Sequence, residues 1–295
     1  MPNKRSFLSV LIIACLLCVS QMQAIQPDTL LIPCCKVPPH IDGKATDAVW
    51  KNAPWIAIDQ VWMPWKGQIA ATDFSGRFRV LWSDKTNMLY FVAEITDDIF
   101  RDGYQFGSKN NRNYSEYDIF EVFLDPDRQG GLHVFDETGS NAERWGSNAE
   151  NAFTYHISVN KPTHRQATNK KTVEDIAGTS WSDIRNYASH FPDFVFRKKG
   201  NTYTYEFSLK VYNNSYNPDA QSENSREKLY AGKVMGLATA WCDDDHRDGP
   251  PQRDNFIGSV AGVDSATESD KSRNETVFNQ VWKNASYLGI AILTK

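Results

Sequence analysis

The sequence has no apolar stretch of the roughly 20 residues that a membrane-spanning helix needs, and its longest run, Phe7 to Val19, falls short of that length. Basic excess is also missing. Lys plus Arg number 32 against 36 for Asp plus Glu, the formal net charge is −4, and no block of one sign stands out, so the electrostatic footprint of a general nucleic-acid binder is absent. There is no glycine-rich phosphate loop, no G-x-S-x-G turn and no H-E-x-x-H helix signature, which removes the main nucleotide-binding, α/β-hydrolase and zinc-protease readings. No C-x-x-C spacing offers a zinc site. Internal repeats, low-complexity tracts and long helical stripes are missing as well. Aromatic residues, in contrast, are abundant for so polar a chain: 9 Trp, 12 Tyr and 16 Phe.

The amino terminus reads as an export signal. Lys4 and Arg5 precede the apolar run, and Ser20 or Ala24 offers a small residue for cleavage, so residues 1–24 are assigned as a signal peptide. Ile12, Ile13 and Ala14 before Cys15 also fit a bacterial lipoprotein signal, with the lipid anchor on Cys15. Either route exports the chain to the periplasm, the outer membrane or the extracellular space, with no membrane span. Past the signal, Cys34, Cys35 and Cys242 remain; one disulfide to Cys242 and three free thiols are both open.

Two-residue alternation dominates the remainder. Tyr203, Tyr205, Phe207, Leu209 and Val211 share one side of a strand while Thr204, Glu206, Ser208 and Lys210 take the other. Similar strands are expected at 78–82, 89–95, 119–124, 153–159, 233–242, 255–260 and 287–293. The pattern predicts an all-β, two-sheet antiparallel sandwich, jelly-roll-like, with one solvent-facing surface on each sheet. A single domain over 33–295 is expected, with the polar segments 126–150 and 161–193 as long loops.

Several side chains in this frame have binding chemistry. In the strand around Glu121, Phe120, Val122 and Leu124 form an apolar face, which puts Glu121 on the opposite side with Ile119, Phe123 and Asp125. A carboxylate there can grip neighbouring sugar hydroxyls, or it can be a structural partner of Arg77, Arg79 or another base. His156 shares the polar face of its strand with Thr154 and Ser158, a position typical of a surface hydrogen-bonding group. Trp282, three residues after Asn279, lies in a connection before the last strand, where an indole either stacks on a pyranose or plugs the sandwich end. Trp62, Pro64 and Trp65 make a second aromatic loop, which a proline-stiffened plug explains equally well, whereas Trp50, Trp82 and Trp241 belong to apolar-periodic contexts and are core candidates. Acidic pairs at Asp97 and Asp98 and at Asp125 and Asp127, with Asp243, Asp244 and Asp245, could provide oxygen ligands for Ca²⁺.

The order Ile41-Asp42-Gly43 through Trp50, then Leu89 to Asp98, then Asp118 to Asp125, closing on Trp282, Leu288 and Gly289, resembles carbohydrate-binding module family 9. The resemblance runs discontinuously from Ile41 to Thr294 and implies a non-catalytic sandwich of the DOMON and CBM9 kind. Such a module holds a sugar between two aromatic rings, often carries structural calcium and accompanies glycoside hydrolases. Position by position it implies Trp282 as one ring, Asn279 as the amide and Glu121 as the carboxylate. Where the family has a second Trp upstream of the Glu strand, this chain has Tyr114 and Tyr117, and His156 stands where the family places an Arg.

The expected function is therefore binding of an oligo- or polysaccharide by an exported module that supports polysaccharide breakdown or uptake, alongside carbohydrate-active enzymes. No cofactor is required, and structural Ca²⁺ fits. Two rival classes are a glycoside hydrolase with paired carboxylates and a haem-binding electron-transfer sandwich drawing on His133, His156, Met63 and Met235.

Overall fold

The computed structural model describes residues 29–64, 67–101, 113–130, 152–159, 176–180, 183–213, 215–216, 225–262 and 284–295. Among them there is no α-helix, only short 3-10 turns and fourteen strands in two sheets. The nine-stranded sheet runs β1 (Thr29–Pro33), β14 (Gly289–Thr294), β12 (Val234–Asp243), β6 (Ile119–Asp125), β7 (Phe153–Ile157), β8 (Ile176–Ser180) and β9 (Asp183–Asn186). β13 (Asn255–Gly258) pairs with β12, and β3 (Gln60–Met63) pairs with β13. The five-stranded sheet runs β10 (Phe194–Lys199), β11 (Thr202–Lys210), β5 (Met88–Asp97), β4 (Phe74–Ser83) and β2 (Ile56–Ile58).

Alternation places the core. The inward rows of β4, β5, β6, β11 and β12 meet in one cluster that includes Phe78, Phe91, Phe120, Tyr205, Phe207 and Trp241. Phe91 and Phe207, register partners on adjacent strands, stack at 5.0 Å. Burying each such ring contributes about 1.5–3 kcal/mol. Trp82 and Trp241 join this core as expected. One polar side chain at its edge is bonded on both ring nitrogens: His190, fully buried, lies 2.8 Å from the Tyr155 hydroxyl and 2.9 Å from that of Tyr216. Burial drives the His190 pKa down to about 3, so the ring is neutral.

Three features differ from the sequence reading. First, neither sheet keeps a wholly solvent-facing surface. A second apolar cluster, including Trp62, Phe123, Ala240, Cys242 and Phe256, covers the outer face of the nine-stranded sheet. A third, including Cys35, Trp50, Leu81, Tyr90 and Val92, covers part of the other sheet's outer face. Second, 161–193 is not all loop. β8 and β9 form an edge hairpin whose backbone ladder needs no apolar alternation, which is why the pattern missed it. Third, β1 pairs with β14 in parallel, whereas the named strand pairs elsewhere in the described residues are antiparallel. Of the two cysteine arrangements left open, the structure has the free thiols: Cys34, Cys35 and Cys242 are unpaired, with Cys35 and Cys242 in clusters on opposite outer faces.

Glu206 anchors the amino-terminal turn to the five-stranded sheet. Its carboxylate accepts hydrogen bonds from Asp42 N at 3.0 Å, Gly43 N at 2.6 Å and Trp50 Nε1 at 2.9 Å. Gly43 adopts φ +76°, and a Cβ there would meet Val195 Cγ1 at 2.6 Å, so the close approach requires glycine. Glu206→Ala strands three donors, two of them deeply buried, and is expected to cost at least about 3 kcal/mol in urea denaturation. A loss under about 1 kcal/mol would show that the latch is dispensable.

Candidate functional site

The two-residue period of β6 sends Phe120, Val122 and Leu124 into the core and Ile119, Glu121 and Phe123 to the outer face. In register with Glu121 stand Ala240 on β12 and His156 on β7. Gly258 of β13 lies beyond Ala240 in the same row. The small residues beside Glu121 lower the floor on that side. Trp62 lies over Gly258 so closely that a Cβ would fall 1.8 Å from its ring.

Glu121 is only 2% exposed. The Cys242 thiol donates to its Oε1 at 3.4 Å, and His156 Nε2 lies 3.6 Å from the same oxygen, beyond hydrogen-bond range. No described residue donates a hydrogen bond to Oε2. Burial raises the Glu121 pKa to about 7 against the pull of the Arg253 charge and the Cys242 thiol. Burial and the neighbouring Glu121 charge push the Cys242 thiol well up, which keeps its proton on sulfur as a donor. Neither Arg77 nor Arg79 pairs with Glu121: Arg77 binds Glu94, and Arg79 donates to the Trp50 carbonyl, both on the other sheet. His156 is 5% exposed and belongs to the floor, not to an open surface.

Tyr114 lies on the 3-10 turn Asn113–Glu116 that leads into β6, and Tyr117, half-buried, follows it. Asn279 and Trp282 lie outside the described residues, as does Trp65. Trp62 is fully buried and donates its indole N–H to the Val260 carbonyl at 2.9 Å, so it is a plug rather than a ligand-facing ring. Trp50, read as core, is buried in the outer cluster of the five-stranded sheet. Met235 packs in the inner core while His156 faces outward, so these two cannot clamp one haem between them.

The sequence reading missed Arg253. It arrives on the loop between β12 and β13, its Nη1 donating to Cys242 Sγ at 3.5 Å and its guanidinium carbon 4.8 Å from the centre of the Phe256 ring. An arginine in a polar loop has no periodicity to announce it.

A separate acidic group closes one end of the sandwich. The inward row of β5 ends on Asp97 and that of β12 on Asp243, and these two gather with Asp245. Asp73 and Asp98 approach Asp245 from the side. Trp241 Nε1 donates to Asp97 Oδ2 at 3.2 Å, but Asp243 Oδ1 and Asp245 Oδ1 are buried without a hydrogen-bond partner. Burial, then mutual repulsion, holds Asp97, Asp243 and Asp245 above the usual carboxylate range. Asp125 and Asp127 lie elsewhere. Asp125 accepts from Arg128 N and Gly130 N, and Asp127 from Gln129 N, so backbone donors already occupy these turn carboxylates. Asp244, His246 and Asp254 form another group whose members pair with one another, with Arg101 or with loop amides.

A recessed carboxylate, an imidazole and a guanidinium thus gather on one outer face of a two-sheet sandwich. The family described as carbohydrate family 9 binding domain-like matches residues 41–295, and the chain belongs to it. The fold is similar to a carbohydrate binding module family 9 from Caldicellulosiruptor kristjanssonii in complex with glucose, with a TM-score of 0.52 and 16% identity, over 90% of this chain and 95% of that one. It is also similar to a putative carbohydrate-binding protein from Bacteroides uniformis, with a TM-score of 0.52 and 9% identity, over 91% of this chain and 100% of that one. No curated protein matches the sequence. Among the described residues no helix is long and apolar enough to cross a membrane.

Buried thiols with raised pKa values resist modification. Burial and the neighbouring Cys34 lift Cys35 to about 11, and Cys242 is fully buried. A native protein treated with a disulfide reagent at pH 8 is expected to label neither, and to label both after unfolding in guanidinium. Rapid native labelling of Cys242 would contradict the packed floor.

Proposed function

We propose that this protein is an exported, non-catalytic module that binds the end of an oligo- or polysaccharide on the outer face of its nine-stranded sheet and thereby supports polysaccharide breakdown or uptake. Trp282 stacks on a pyranose, Asn279 and Glu121 hydrogen-bond its hydroxyls, Tyr114 or Tyr117 closes the opposite side, and His156 flanks the carboxylate. The observation that carries this reading is a recessed Glu121 whose Oε2 takes no hydrogen bond from the described residues, within a chain that belongs to a carbohydrate-binding family. A polar oxygen held in an apolar floor is costly unless a ligand hydroxyl or water satisfies it. Export by the amino-terminal signal, with or without lipid on Cys15, places the module among carbohydrate-active enzymes outside the cytoplasm.

Calorimetry against glucose, cellobiose, xylobiose, galactose and mannose tests the site. Trp282→Ala is expected to weaken binding more than tenfold, because losing a stacking indole removes about 2–4 kcal/mol, with the circular dichroism spectrum unchanged. Glu121 titrates near 7 in the unliganded protein. Its ionised form accepts hydrogen bonds more strongly, so affinity should fall by up to about tenfold between pH 8 and pH 6, and Glu121→Gln should flatten that dependence. Unaltered affinity in both variants would place the sugar elsewhere.

The acidic end fits Ca²⁺, a hard cation that takes oxygen ligands. Asp97, Asp243 and Asp245 would hold it, with Asp73 and Asp98 beside them, and the two unpartnered buried oxygens support this reading. Calcium at saturating concentration is expected to raise the melting temperature by about 5–10 °C over the chelator-treated protein, and Asp243→Ala should abolish the response. A melting temperature indifferent to chelation would remove the ion from the account.

A further inference from the structure

We infer that Arg253 is the cationic hydrogen-bond donor to the bound sugar, working opposite Glu121; this rests on the sugar-binding reading and deepens it. Arg253 and Glu121 flank one thiol: Arg253 Nη1 meets Cys242 Sγ at 3.5 Å, and the same sulfur meets Glu121 Oε1 at 3.4 Å. The two charges form no ion pair within 4 Å, because Cys242 stands between them. A direct pair would have consumed the donors of one and the acceptors of the other. Here Arg253 Nε is buried with no hydrogen-bond partner, no described residue accepts from Nη2, and Oε2 of Glu121 receives no bond. Free donors and a free acceptor therefore converge on one floor.

That pairing suits a vicinal diol. A sugar hydroxyl both donates and accepts, so neighbouring hydroxyls can give protons to a carboxylate and take them from a guanidinium. The guanidinium is also held in place. Its carbon packs 4.8 Å from the Phe256 ring centre, and the Arg253 backbone N donates to Glu116 Oε2 at 3.1 Å, tying the loop to the turn that carries Tyr114. A preorganised fork loses little entropy on binding. His156, at 3.6 Å from Glu121, flanks the carboxylate on the other side.

The test compares Arg253→Gln, Arg253→Lys, Glu121→Gln and wild type by calorimetry against the same five sugars, with melting temperatures to check folding. Arg253→Gln is expected to lose at least tenfold in affinity, and Arg253→Lys, which keeps the charge and loses the fork, about threefold to tenfold. Monodeoxy analogues of the sugar that binds supply a second measurement. One of them should bind the wild type more weakly than the parent sugar does, yet lose nothing further in Arg253→Gln. If Glu121→Gln weakens binding while Arg253→Gln stays within twofold of wild type, the inference is overturned and the sugar-binding reading stands. If wild type binds none of the five, both fall. Should Arg253→Gln fail to fold, the deoxy series on Arg253→Lys decides, and a hydroxyl dependence identical to wild type would refute the role.

Discussion

The two-residue period of β6 and β12, within a sheet covered on both faces, is the constraint on which the molecule depends. Each inward residue must fit an aromatic core, and each outward residue must fit a second apolar layer. A slip of one residue would drive Glu121 and Cys242 into the inner core and expel Phe120 and Trp241. The register is thus strongly specified, and the Glu121 carboxylate is held by core packing on the opposite side of its own strand.

Two buried glutamates illustrate how the same residue type serves different ends. Glu206 and Glu121 both sit on outward rows and both are nearly inaccessible. Glu206 receives three donors from the backbone and an indole, which makes it a structural latch for the turn at Gly43. Glu121 receives one weak thiol donor and has a second oxygen unsatisfied by the described residues. Since burial penalises both carboxylates, the one without compensation in the fold is the one suited to a ligand.

The loop between β12 and β13 connects the two chemical regions. It leaves β12 at Asp243 in the acidic end, passes Asp245 there, and carries Arg253 to Cys242 on the outer face. Arg101 binds its middle through the His246 carbonyl at 2.6 Å and the Asp244 carboxylate at 3.1 Å. The acidic end and the orientation of Arg253 are therefore properties of one short, cross-braced segment.

Sequence by itself determined the all-β class, the principal strands and the outward placement of Glu121, because alternation is a local property set by the backbone. It also brought out the acidic pairs and the order of motifs that identifies the family. The edge hairpin β8–β9 was illegible, since it is held by a backbone ladder and not by side-chain pattern. The pairing of Glu121 was equally hidden: Arg77 and Arg79 were plausible partners in a linear reading, but they project from the other sheet. Only tertiary structure brought Asp97 to Asp243, buried Trp62 over Gly258 and carried Arg253 to Cys242. These contacts join residues far apart in the chain. Their partners are selected by how two sheets close on each other, a global packing outcome that no local period encodes.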